Sequence, residues 1–118
     1  MRKDRSSLNA LPAPFGDKPL LELGFTAEII YWRGPSPFFY APVPEPLVED
    51  LRRAVRAATY GWGVAPVEAK ANDIVFTTAL FPKDGTYLLP LKAAVRREAD
   101  LTAGDVARFE IIVRPPRR

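Results

Sequence analysis

The sequence predicts a mainly β fold, a small single-domain β-barrel of five to seven short strands with one amphipathic helix and one short helix. Two observations lead to this prediction. Short runs rich in β-branched and aromatic residues recur between turns that contain glycine or proline, which is typical of strands. Apolar residues at helical spacing occur in only two segments, so the helices are insertions between strands. Closure into a barrel is expected because it removes the exposed edges of short strands.

The runs predict six strands, at 25–32, 38–43, 64–71, 74–81, 86–90 and 106–113. Alternation in the first of them places Phe25, Ile29 and Tyr31 on one face. Pro42 lacks an N–H donor, so the second strand is expected to lie at an edge or bulge there. Asn72 and Asp73 suit a two-residue turn, and the strands on either side of them are therefore predicted to form a hairpin.

The longer helix is predicted at about 45–59, where proline and acidic residues suit its first turn. Its apolar residues form one stripe, made of Leu47, Val48, Leu51, Ala54, Val55 and Ala58. A stripe at this spacing indicates a helix that packs against a sheet. The short helix is predicted at about 91–99, with Leu91, Ala94 and Val95 directed inward.

Each predicted helix follows a strand that ends near a proline, in the segments 43–51 and 89–97. Each helix is in turn followed by a strand. This repeated order predicts two similar halves related by a pseudo-twofold axis.

The folded domain is predicted at 23–114, preceded by a flexible arm at 1–22 and followed by a basic tail at 115–118. The net charge of the whole chain is +3, but residues 6–113 carry 11 basic and 13 acidic side chains, a balance of −2. A groove that binds the phosphate backbone of a nucleic acid needs clustered positive charge on the folded surface. Nucleic acid is therefore not expected as a partner.

The sequence contains no histidine and no cysteine. These absences exclude a Ser-His-Asp triad, a cysteine nucleophile, disulfides and zinc sites of the usual kind. No phosphate-binding loop or dinucleotide fingerprint is present. We therefore expect no metal site and no cofactor. The sequence also has no apolar run of about 18 residues and no secretion signal, so a cytoplasmic location without a membrane partner is expected.

Aromatic side chains concentrate at predicted strand ends and beside turns, where one face of a ring can remain open. The candidate ligand-binding residues, which would line an aromatic barrel mouth, are Trp32, Arg33, Tyr40, Tyr60, Trp62 and Tyr87. The competing interpretation is that these rings only pack the core and the barrel ends.

A second candidate site is basic. Lys83 lies in a predicted turn, and Lys92 and Arg96 are four residues apart on the predicted short helix. Together with the free N–H groups at the start of that helix, they are hypothesised to bind an anion. The competing interpretation is that they are solvated surface side chains.

Four stretches resemble the bacterial family catalogued as domain of unknown function 1905, over about residues 25–113. They are "AEIIYWRGPSPFFYAPVP", "YGWGVAPV", "FTTALFPKDGTYLLPLKAAVR" and "GDV", at 27–44, 60–67, 76–96 and 104–106. The resemblance implies a small β-barrel with helical insertions. It implies no established activity.

Residues 89–111 also resemble, more loosely, the strand–helix–strand corner of swapped-hairpin DNA-binding regulators and antitoxins. In such a corner proline ends the strand, and the glycine and aspartate at 104–105 turn the chain back into the barrel. This likeness concerns architecture, because the net charge of the middle of the chain does not favour DNA binding.

Three functional hypotheses remain open. The first is a small-molecule or protein binding module that uses the aromatic mouth. The second is a small cofactor-independent enzyme of the lyase, isomerase or cyclase type, with Asp, Glu, Lys or Tyr as acid and base. The third is a swapped-hairpin-like nucleic-acid binder. The chain is expected to be a monomer or a homodimer.

Overall fold

The computed structural model describes residues 18–34, 38–59 and 66–115, which form eight strands and two helices. The strands are β1 (Leu21–Glu28), β2 (Ile30–Trp32), β3 (Phe38–Pro42), β4 (Pro66–Ala71), β5 (Ile74–Ala79), β6 (Phe81–Lys83), β7 (Thr86–Pro90) and β8 (Val106–Val113). The helices are α1 (Glu45–Thr59) and α2 (Ala93–Ala99). The predicted small, mainly β fold with one longer and one shorter helix is confirmed.

The strands form two antiparallel sheets of four. Sheet I has the order β1-β8-β4-β5, and sheet II has the order β2-β3-β7-β6. The chain passes from sheet I to sheet II twice, and in each passage a single residue, Ile29 or Leu80, separates the two strands. The predicted closure into one hydrogen-bonded barrel is not observed, because the strands pair in two sheets of four. Each bent segment pairs with β8 or β4 before the bend and with β3 or β7 after it.

The order of elements repeats once along the chain. Both halves contain a bent strand, a second strand, a helix and a further strand, and both sheet orders are unchanged when the halves are exchanged. Two hydrogen bonds have the same symmetry: Val43 N–H donates to Tyr87 O at 3.0 Å, and Leu91 N–H donates to Phe39 O at 2.9 Å. The topology therefore has the pseudo-twofold arrangement predicted from the two proline-containing segments.

The core lies between the inner faces of the two sheets, and α1 and α2 pack against the sheets at different places. Phe109, Ile111 and Val113, which alternate along β8, are fully buried. Phe109 lies opposite Phe25 of β1, with 5.7 Å between the ring centroids. Helix α1 contacts β1, β7 and β8, whereas α2 contacts β5.

Helix α2 begins at Ala93, two residues later than predicted, because Leu91 is still bonded to β3. Leu91 and Val95 are buried as expected, but Ala94 is exposed, so that part of the prediction was wrong. Neither α2 nor α1, the two helices of the described chain, is long and apolar enough to span a membrane.

Both strand-ending prolines lie where a neighbouring strand has already ended. The two symmetric hydrogen bonds show that the backbones of odd-numbered residues of β3 and β7 bond to each other. The backbone of Pro42 is therefore directed toward the β2 side of sheet II, and that of Pro90 toward the β6 side. On those sides β2 reaches only to Tyr40, and β6 reaches only to Leu88. A missing N–H therefore breaks no ladder bond at either proline.

Strand β1 begins within the segment predicted as an arm. Leu21 pairs with Val113, and Leu20 N–H donates to Val113 O at 2.7 Å. Residues 1–17 of the predicted arm and residues 116–118 of the predicted tail lie outside the described residues.

The turn between β6 and β7 requires left-handed backbone at both of its residues, with φ of 51° at Asp84 and 78° at Gly85. This is the conformation for which Asp-Gly is favoured. A β-carbon at Gly85 would meet no atom within 4 Å, so Gly85→Ala changes only the backbone preference. We expect this variant to lower the free energy of unfolding by about 1 kcal/mol in urea titrations. Asp84→Asn is the control and should leave it nearly unchanged; equal stability of all three proteins would contradict the prediction.

Candidate functional site: the outer aromatic face of sheet II

Sheet II has an apolar face on the side that points away from the core. Alternation places Phe39, Ala41, Tyr87 and Leu89 on the inner side, where Ala41, Tyr87 and Leu89 are buried in the core. The large side chains on the other side, called here the outer aromatic face, are those of Ile30, Trp32, Phe38, Tyr40, Phe81, Lys83 and Leu88. The corresponding side of sheet I is largely polar, with Glu22, Thr26, Glu28, Glu68, Lys70, Thr77, Arg108 and Glu110.

The rings of the outer aromatic face contact one another. Phe38 and Tyr40 meet edge to face at 5.7 Å, and Tyr40 and Phe81 stack at 5.7 Å with an angle of 23° between their planes. Tyr40 and Leu88 are only 9% and 5% exposed, although they do not belong to the core between the sheets. Phe81 remains 45% exposed. The face therefore has an enclosed centre and an open apolar border.

Lys83 and Trp32 meet across this face from opposite edge strands. The Lys83 ammonium nitrogen lies 4.0 Å from the centroid of the Trp32 ring and 3.3 Å from Oδ2 of Asp84. Because β2 and β6 form the two edges of sheet II, this contact spans the outer aromatic face. The result is a cation–π pair above an apolar floor.

Two further residues shape this pair. A β-carbon on Gly34 would collide with the indole nitrogen of Trp32, so the glycine leaves the space that the indole occupies. Arg52 of α1 donates from Nη2 to Gly85 O at 2.8 Å. Helix α1 thereby holds the turn that follows Lys83.

The structure distributes the predicted ligand-binding residues over different places. Trp32 and Tyr40 share the outer aromatic face. Arg33 follows Trp32, and its guanidinium carbon lies 5.7 Å from the Tyr31 ring centroid. Tyr87 is on the inner side and buried. Two further predicted residues, Tyr60 and Trp62, lie outside the described residues.

The three predicted anion-binding residues do not meet in the described structure. Lys83 belongs to the outer aromatic face, whereas Arg96 stacks on Phe39, which is on the inner side, with 3.6 Å from its guanidinium carbon to the ring centroid. Lys92 is exposed at the N-cap of α2 and makes no side-chain cap bond.

Sequence reasoning did not assign Phe38 or Phe81 to the site. For Phe38, the available signal was its two-residue spacing from Tyr40 on one strand. For Phe81, no local signal existed, because its position on the outer face depends on the bend at Leu80. Within residues 18–34, 38–59 and 66–115, no three carboxylates lie close enough together to hold a metal ion.

The family model described as Domain of unknown function (DUF1905) matches residues 25–111. The matched segment extends from β1 into β8, so it includes the outer aromatic face and both helices. Comparison with curated proteins gives no significant match.

Proposed function

The chain belongs to the family described as Domain of unknown function (DUF1905), and on this premise we propose that it is a binding module whose ligand occupies the outer aromatic face. The ligand would be a small, largely apolar molecule that carries an anionic group. The observation that carries the proposal is the concentration of exposed apolar side chains beside a cation on one side of sheet II.

The exposed border of the face supports binding of an apolar ligand. Ile30 and Trp32 are both 36% exposed, and Phe81 is more exposed still. The largest exposed apolar patch of a folded domain is often functional. Trp32 alone can contribute roughly 1.5–3 kcal/mol if a ligand completes its burial.

Lys83 would provide the polar specificity. Its ammonium group already lies against the indole, in partly apolar surroundings, and only one carboxylate, that of Asp84, is near it among the described residues. A carboxylate, sulfonate or phosphate of a ligand could therefore pair with Lys83 while the rest of the ligand contacts Trp32 and Phe81. Charge-assisted bonds of this kind are stronger than those between neutral groups.

The size of the face favours a small molecule over a protein partner. Four strands of at most five residues cover roughly 15 Å by 17 Å, on the order of 250 Å². A standard protein interface buries about 800 Å² on each partner. A ligand of drug size needs far less surface.

The test uses 1-anilinonaphthalene-8-sulfonate, which combines fused aromatic rings with an anion. We expect its affinity, measured by fluorescence titration, to fall about tenfold or more in both Trp32→Ala and Lys83→Met. The first variant removes apolar contact, and the second removes the charge while keeping the length of the side chain.

The control is Val75→Ala, because Val75 is 70% exposed on the outer side of sheet I and the substitution also removes surface methyl groups. Its affinity should equal that of the unmodified protein. Circular dichroism should confirm that all variants are folded. The proposal fails if folded Trp32→Ala and Lys83→Met bind the probe as tightly as Val75→Ala does.

A further inference from the structure

We infer a second binding site, distinct from the outer aromatic face, at the place where Arg96 of α2 stacks on Phe39 at the inner side of sheet II. Its residues are Tyr31, Arg33, Phe39 and Arg96, called here the α2-end site. The ligand class is a small planar molecule that carries a phosphate or carboxylate. This site goes beyond the proposed function, because it shares no residue with the outer aromatic face.

The four side chains form a row in which cations flank aromatic rings. The Arg96 guanidinium carbon lies 3.6 Å from the Phe39 ring centroid, and the Phe39 and Tyr31 centroids are 4.8 Å apart. At the far end, Arg33 lies 5.7 Å from the Tyr31 centroid. Tyr31 is 41% exposed, so the row opens to solvent at its centre.

The arginines retain hydrogen-bond donors for an anion. Arg96 donates from Nε to Leu91 O at 3.3 Å, and stacking on Phe39 occupies a face of the guanidinium plane. Its terminal N–H groups point within that plane, which is the geometry for binding an oxyanion with two parallel bonds. Neither Arg33 nor Arg96 forms an ion pair with a carboxylate of the described residues.

The pseudo-twofold relation indicates that packing does not require an arginine at this position. Arg96 is six residues after Pro90, and its counterpart six residues after Pro42 is Val48, which is buried in the core. The counterpart of Phe39 is the buried Tyr87, and that of Tyr31 is Pro82. The three counterparts are therefore uncharged, and two of them are buried, whereas this end carries a cation and an exposed ring.

The chemistry of the row selects the ligand class. An exposed Tyr31 ring favours stacking of a planar group, and Arg96 with Arg33 favours an oxyanion attached to it. Residues 6–113 have a net charge of −2, which does not provide the clustered positive charge needed to bind along a polyanion. The favoured ligand is therefore a single small anion.

The experiment adds adenosine 5′-monophosphate to the full chain. Isothermal calorimetry measures the affinity, and the amide chemical shifts of Tyr31, Phe39 and Arg96 report where the nucleotide binds. Adenosine alone and inorganic phosphate alone should each bind more weakly than the nucleotide. Arg96→Gln should weaken nucleotide binding about tenfold or more. Arg97→Gln is the matched control, because Arg97 is the exposed neighbour on the same helix, and it should leave binding unchanged.

Three outcomes would overturn the inference: no binding of the nucleotide, equal affinity of Arg96→Gln and Arg97→Gln, or equal affinity for adenosine and the nucleotide. If Arg96→Gln does not fold, Arg33→Gln provides the test, because Arg33 is exposed and should reduce affinity without affecting folding. Tighter binding of a single-stranded oligoadenylate would contradict the small-anion class, if its affinity fell with salt concentration as expected for several phosphate contacts. Lys83→Met should bind the nucleotide normally, which separates this site from the outer aromatic face.

Discussion

Replacing Phe109 with alanine is expected to lower the free energy of unfolding by about 3–5 kcal/mol. Phe109 is fully buried in the middle of β8, a central strand of sheet I, and its ring lies against that of Phe25. Removal of the ring leaves a cavity between the sheets that short neighbours such as Ala71, its partner on β4, cannot fill. Small domains have a total stability of about 5–15 kcal/mol, so this loss is a large fraction of the stability.

Urea denaturation followed by far-ultraviolet circular dichroism measures this loss. Phe81→Ala is the matched control, since it removes the same ring from a site that is nearly half exposed. It should change stability by well under half as much, and it should reduce binding at the outer aromatic face. Equal losses from the two substitutions would mean that the core is not where the structure places it.

Replacing Ile29 with alanine is expected to lower the free energy of unfolding by about 2–5 kcal/mol. Ile29 is the single residue between β1 and β2, and its side chain is buried where the chain bends from one sheet into the other. Its N–H donates to Asp105 O at 2.9 Å, and its carbonyl accepts from Gly104 N–H at 2.8 Å. Alanine retains both backbone bonds, so the measured loss reports the buried side chain.

The adjacent substitution Ile30→Ala is the matched control, because Ile30 has the same side chain but lies on the exposed side of the strand. We expect it to change stability by less than about 0.5–1 kcal/mol in the same urea titration. The pseudo-twofold counterpart, Leu80→Ala, should resemble Ile29→Ala. A greater loss from Ile30→Ala than from Ile29→Ala would show that the bend directs the opposite side chain inward.

Local patterns were sufficient for most of the strands and for α1. The last strand and the strand at 86–90 were predicted with the bounds that the structure has, because each begins soon after a turn that contains glycine. The bends at Ile29 and Leu80 could not be predicted. Side chains keep the same alternation through each bend, so the sequence pattern has no change of phase that would mark it.

The candidate sites were less accessible to sequence reasoning than the strands. Trp32 and Tyr40 were identified as candidates, but alternation alone does not say which side of sheet II faces the core. Tyr87 was grouped with them although it is buried on the inner side. The contact of Lys83 with Trp32 joins the two edge strands of sheet II, and the stacking of Arg96 on Phe39 depends on where α2 packs. Both are properties of the assembled fold.

The pairing of β1 with β8 has a consequence for how the chain folds during synthesis. Leu21 lies opposite Val113, so the earliest described strand finds its neighbour only after residue 113 has left the ribosome. Until then the apolar side of β1 has no permanent cover, and bringing such distant segments together is entropically slow. The growing chain therefore exposes this side of β1 to chaperones and to aggregation until β8 has been synthesised.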